Sequence, residues 1–204
     1  RAANELFDAY EALGETAVRI VAFEGSARSD FPDSFGNSDQ WMDVASARAV
    51  INGLSAGGGT NYRAALERAI TAQTSGQQTA YLEGGTNTSF FLSDGQPNAP
   101  IGAALEQTWH QFLIDNQVVS NALGFGGIGS LDALRPIAFD GITGQALAPL
   151  LEADTGDLGE VVIAQAKLDF IEDLIGTQYD DQLTGNALDN RIEALQGDDE
   201  LVGL

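Results

Sequence analysis

Cysteine is absent from the 204 residues, and histidine and methionine occur once each. The missing cysteine removes disulfide frameworks, thiol nucleophiles and cysteine-based zinc sites, and it leaves the redox compartment open. Positive charge is scarce as well. Against 9 Lys plus Arg stand 30 Asp plus Glu, a formal net charge of -21, so phosphate backbones and anionic membrane surfaces repel the chain and nucleic acid is disfavoured as a partner. Divalent cations are the better counter-charges. No apolar run approaches the length of a membrane-spanning helix, and the opening RAANELFDAYEALG has the pattern of an amphipathic helix rather than a signal peptide. Membrane insertion by these residues is not expected. Also missing are a Walker loop and H-E-x-x-H, and Lys167 is the lone lysine. With so few candidates for a general base or phosphate clamp, the chain does not read as an enzyme.

What is present suffices for a core: 44% of residues are hydrophobic, enough for one domain of ordinary size with a small appendage. The organising stretch is SFFLSDGQPN, residues 89–98, an apolar run that stops at an Asp-Gly pair and a proline. Short buried strands of α/β proteins end this way, with a functional loop where the apolar residues stop. Asp94 is thereby placed at the carboxyl edge of a central strand. Upstream, the glycine loop Gly57-Gly58-Gly59-Thr60-Asn61 separates two helical patterns, with Thr60 placed to end the loop and open the next helix.

In chain order, the pattern predicts a helix ending at Gly14, a strand over residues 16–23 with a possible return over 26–29, and a loop over 31–40. Helices follow at 43–54 and 61–71, with an irregular excursion over 73–87 before the central strand. A helix over 102–114, a strand over 118–125, a short helix from Ser130 interrupted by Pro136, and a possible last strand over 161–164 complete the series. Such alternation predicts an α/β, doubly wound, mostly parallel sheet. His110 is expected at the surface or rim, and Trp41 and Met42 in core or loop packing.

From Gly176 a nine-residue period appears: GTQYDDQLT, GNALDNRIE, ALQGDDELV. Leu183, Ile192 and Leu201 share one phase, Asp181, Asn190 and Asp199 another, and Gly176, Gly185 and Gly203 a third. A solvated acidic tail yields an occasional Asp-Asp pair but no in-phase apolar residue. The GGxGxDxUx repeat builds a calcium-binding parallel β-roll whose units need stacked neighbours. The copies here are degenerate, with Ala194 in place of the first glycine of the third unit.

On the glycine loop ending in Thr60 and the strand end FLSDG with Asp94, residues 1–140 resemble the von Willebrand factor type A domain. The resemblance implies a metal-ion-dependent adhesion site (MIDAS), with Thr60 as second-loop ligand and Asp94 as third-loop carboxylate, holding magnesium or manganese. The family's first loop, Asp-x-Ser-x-Ser, and the strand that carries it do not occur before the first helix, so elements are expected upstream of Arg1. Residues 176–204 resemble the RTX repeats of bacterial proteins exported by type I secretion. That resemblance implies calcium at Asp180, Asp181, Asn190, Asp198 and Asp199, with residues 141–175 as a connecting segment. Together they imply a secreted, extracellular module at a bacterial cell surface that binds a protein or cell-surface ligand offering a carboxylate. The alternatives are the non-catalytic, repeat-bearing portion of a secreted RTX hydrolase or toxin, with the A-like domain as a spacer, and an intracellular A-domain scaffold, against which the repeats argue.

Overall fold

A computed structural model describes residues 2–31, 41–55, 57–74, 87–126, 128, 130–152, 173–175, 178–179, 182–184, 191–193 and 195–202. The centre is a pair of parallel strands, β3 (Asn87–Ser93) and β4 (Val118–Phe125), joined by the helix α4 (Ala103–Asp115) and paired from Asn87↔Val118 to Ser93↔Gly124. Because successive side chains of a strand point to opposite faces, this register sorts the apolar residues into two cores. Phe91 and Ala122 face a cluster with Tyr62, Leu66, Trp109 and Leu113, while Leu123 packs with Leu6, and Tyr10, Phe90, Leu92 and Phe125 lie against that pair.

The first face is covered by α4 and by α3 (Tyr62–Thr74), whose Tyr62, Leu66 and Leu113 contacts leave those side chains almost without solvent exposure. The second face is covered by α1 (Ala2–Leu13). Beside α1 lies α2 (Val44–Gly53), which Asp43 caps by accepting from the Ser46 amide at 2.7 Å. Arg48 of α2 joins the two helices by donating to the Asn4 carbonyl at 2.8 Å and pairing with Asp8 and Glu11. Phe7, Ile20, Met42, Val44 and Ala47 form the core between them.

The sheet is mostly parallel, with a short antiparallel addition. On its far side β4 pairs antiparallel with β5 (Phe139–Asp140), which pairs antiparallel with β6 (Gln145–Ala146), while β7 (Leu150–Glu152) runs parallel to the end of β4. The hairpin is possible because Asp140 nucleates a tight turn: its carboxylate accepts from the amides of Ile142 (2.8 Å) and Thr143 (3.2 Å). Residues 145–146 and 150–152, which fall in the expected connecting segment, are therefore strands of this sheet.

Other expectations differ in extent. The strand expected over 16–23 shrinks to a bridge between Val18 and Met42 and to β1 (Ala22–Phe23), which pairs antiparallel with β2 (Ala27–Arg28). A β-branched run becomes a regular strand only where a neighbour accepts its hydrogen bonds, and among the described residues none lies on the β3 side. The short helix from Ser130 is instead a succession of turns, with Leu134 and Ile137 amides bonded three residues back at 2.9 Å each. His110 is half-buried: its ring stacks on Phe139 at 4.0 Å and meets the Pro136 carbonyl at 2.9 Å. Most of the loop at 31–40, most of the excursion at 73–87 and the strand at 161–164 lie outside the described residues.

Among the described residues of the tail, four short strands form two separate parallel pairs. β8 (Asp173–Ile175) pairs with β10 (Arg191–Glu193), and β9 (Gln182–Thr184) with β11 (Glu200–Val202). Leu174 is opposite Ile192, and Leu183 opposite Leu201. Each strand thus pairs with the one two repeats further on, so the nine-residue period alternates between two sheets. Among the described residues no helix is long and apolar enough to cross a membrane.

Candidate functional site

Four loops meet at the carboxyl edge of β3. The glycine loop leaves α2 through Leu54, whose amide bonds Ile51 at 3.2 Å, and passes Gly58 at a φ of 76°, a conformation favouring glycine. Thr60 ends that loop, but Asn61 caps α3: its Oδ1 accepts from the Ala64 amide at 3.1 Å, and its Nδ2 donates to Gly25 in the β1–β2 turn at 3.0 Å. An asparagine at this place serves the helix better than a threonine one residue earlier, and the Thr60 hydroxyl is left for other work.

The second loop begins where β3 ends. Asp94 is exposed at the strand edge, and the Gly95 carbonyl behind it accepts from the Tyr62 hydroxyl at 2.8 Å and from the Ser93 hydroxyl at 3.1 Å. Tyr62 is buried, and burial raises its pKa, with the Ser93 hydrogen bond opposing the shift and the nearby Asp94 charge adding to it. The phenol therefore stays protonated through the neutral range and keeps donating to Gly95.

These loops touch each other. The Asn98 amide donates to the Thr60 carbonyl at 2.8 Å, and a Cβ on Gly95 would lie 2.9 Å from Thr60 Oγ1. Gly95 is thus the residue that lets the Thr60 hydroxyl approach the Asp94 loop. Gln96 extends the cluster by donating to the carbonyls of Ser130 (2.6 Å) and Ile128 (3.2 Å), beyond β4.

Sequence reading selected Thr60 and Asp94 and missed two neighbours. Glu24 packs over Gly58 so closely that a Cβ there would collide with it, and Asn98 covers Gly59, where a Cβ would lie 2.7 Å from its Nδ2. Glu24 precedes Gly25 at a chain return and Asn98 follows Pro97 in the loop after the apolar run, and neither stands out as a site in the sequence. As a cation site the edge fits in kind: a neutral hydroxyl and a carboxylate, both oxygen, suit a hard divalent ion. It is incomplete in number, because such an ion takes six or more oxygens, and among the described residues no group of three His, Asp or Glu side chains converges.

In the tail, Asp198 and Asp199 lie in the bend before β11, whereas Asp180, Asp181 and Asn190 fall outside the described residues. Gly197, with φ of 135°, sits so close to the preceding turn that a Cβ would come within 2.7 Å of the Tyr179 backbone and 2.9 Å of Asp199 Oδ1. The two turns stack two repeats apart, in step with the strand pairs.

No family model matches the sequence, and no curated protein matches it. Among solved structures, two crystal forms of proximal thread matrix protein 1 (PTMP1) from the mussel byssus align with 90% of this chain at 17% identity, with TM-scores of 0.53 and 0.57. A third PTMP1 structure, described as having a zinc-occupied MIDAS motif, aligns with 90% of this chain at 17% identity and a TM-score of 0.56. The fold is von Willebrand factor A-like. The A-like chain spans about half of PTMP1, 45% to 47% of its length, and at this identity the likeness concerns fold alone.

Proposed function

We propose that the A-like domain is a non-catalytic, divalent-cation-dependent ligand-binding module, with Thr60 and Asp94 holding magnesium or manganese and a carboxylate from a protein or cell-surface partner completing the shell. The observation that carries this reading is the interlock of the two loops, through Asn98 to Thr60 and through Gly95 against the Thr60 hydroxyl. A hydroxyl and one carboxylate leave the ion electron-poor enough to accept an anionic partner. Because the chain carries 30 acidic residues, bulk cation uptake is uninformative, and the test must be local. Manganese is expected to broaden the amide resonances of Thr60 and Gly95 selectively, and Asp94→Ala to weaken that effect by about 10-fold or more. Equal broadening in the wild type and in Asp94→Ala would remove the site.

The tail is, on the same reading, the start of a calcium-binding β-roll, and the chain a part of a large RTX adhesin exported by type I secretion to a bacterial surface. Support comes from the parallel pairing of strands two repeats apart and from the Gly197–Tyr179 stacking. Extracellular calcium modules bind at about 10⁻⁴ to 10⁻³ M, so 10 mM calcium is expected to stabilise the tail by about 1.4 to 2.7 kcal/mol per site. Amide exchange in β9 and β11 reads this directly. Exchange that is indifferent to calcium would rule out a competent roll in these residues.

A further inference from the structure

Three of the segments that run into the Thr60–Asp94 edge each carry an aromatic ring, and the three rings meet. Phe23 closes β1 and stacks on Phe91 of β3 at 5.0 Å. Tyr62, the first residue of α3, stands edge-on to both, 6.0 Å from Phe23 and 4.9 Å from Phe91. In the sequence Phe23 immediately precedes Glu24, Tyr62 closely follows Thr60, and Phe91 shortly precedes Asp94. The rings therefore hold together the bases of the loops that form the edge. Tyr62 is fully buried, and it alone of the three has a polar end.

That polar end reaches the loop after β3. The Tyr62 hydroxyl donates to the Gly95 carbonyl at 2.8 Å. The Ser93 hydroxyl donates to the same oxygen at 3.1 Å and accepts from the Gly95 amide at 3.4 Å. Both peptide groups that flank Gly95 are held in this way, the one before it through its N–H and the one after it through its C=O. Such control matters at a glycine, whose φ and ψ are less restricted than those of other residues. Rotation there swings Asp94 relative to Asn98, whose amide donates to the Thr60 carbonyl at 2.8 Å. The loop cannot be stiffened by giving this position a side chain, because a Cβ would lie 2.9 Å from Thr60 Oγ1. The close approach of Thr60 requires a glycine, and the restraint a side chain would supply has to come from outside.

We infer that Tyr62 is a positioning residue of the cation site: its hydroxyl, through the Gly95 carbonyl, fixes the Asp94 carboxylate relative to the Thr60 hydroxyl. The inference rests on the cation reading of this edge. A buried tyrosine hydroxyl takes a hydrogen-bond partner in any fold. Here the partner is the glycine that separates the two candidate ligands, and this gives the bond a role beyond satisfying the phenol. Outer-shell hydrogen bonds of this kind orient ligands and tune affinity for the ion.

The test uses the 204-residue chain, with manganese as the probe and selective broadening of the Thr60 and Gly95 amides as the readout, at a temperature where every variant is folded. Tyr62→Phe keeps the ring and removes only the donor, and it is expected to raise the manganese Kd by about 10-fold. Ser93→Ala, which removes the other donor to the same carbonyl, is expected to move it in the same direction. Trp109→Phe is the control for stability, since it also takes the donor from a carbonyl, that of Ile137, bonded at 3.1 Å, and it must leave the manganese Kd unchanged. A Kd in Tyr62→Phe equal to that of the wild type would overturn the inference and leave the cation site standing. Equal weakening by Trp109→Phe would overturn it too, by showing that lost stability alone moves the Kd. Wild-type broadening that does not depend on Asp94 would instead remove the cation site, and the role of Tyr62 with it.

Discussion

Gly141→Ala is expected to destabilise the A-like domain by about 3 kcal/mol, near the upper end of overpacking costs. Gly141 follows β5 and is buried, with its amide bonded to the Val118 carbonyl at 3.0 Å. A methyl group there would run into the carbonyl of Leu113 and come within 2.7 Å of the Val118 oxygen. All of these are backbone atoms, one from the end of α4 and one from the start of β4. No rotamer change relieves the clash, and the helix–strand junction itself must move. For a chain of this size the cost corresponds to a melting temperature lower by about 6 to 12 °C. Gly144→Ala is the matched control. It has a φ of 73° but nothing within 4 Å of its added carbon, so only backbone strain of about 1 to 2 kcal/mol is expected. Thermal melts in which Gly141→Ala is no worse than Gly144→Ala would contradict the packing of β5 on the α4–β4 junction.

Trp109→Ala is expected to cost about 3 to 5 kcal/mol, the range for emptying a large aromatic site. Trp109 is 3% exposed, stacks on Phe112 at 5.4 Å, and reaches across to the turns after β4 through its indole N–H. Trp109→Phe separates the two contributions. It keeps most of the apolar contact but leaves the buried Ile137 carbonyl without its donor, a penalty of about 1 to 3 kcal/mol. Chemical denaturation of the two variants measures both. If Trp109→Phe equals the wild type, the hydrogen bond does not anchor residues 131–138 to α4.

Much of the architecture was legible in residue order. The helices α2, α3 and α4 and the strands β3 and β4 lie close to where apolar periodicity puts them, since each buries a face whose pattern is local. Asp43 was legible as a helix start because an N-cap depends on residues a few positions away. The strand at 16–23 was overread for the opposite reason: its sequence is that of a strand, but pairing depends on a neighbour elsewhere in the chain. The β5–β6 hairpin was missed because two-residue strands carry no periodicity, and only the Asp140 turn hinted at it.

The site divides the same way. Thr60 and Asp94 could be named because each stands at a break between an apolar pattern and glycine. Glu24 and Asn98 could not, since what sets them beside Gly58 and Gly59 is the meeting of four loops from distant parts of the chain. In the tail, the sequence by itself determined the period and hence which residues share a phase. That Leu183 pairs in register with Leu201 while Ile192 pairs with Leu174, in two separate sheets, depends on the tertiary structure. Sequence specifies what each segment can bury or donate. Which edges find partners, and which edge of β3 has none among the described residues, depends on chain closure over long separations, and no local pattern encodes it.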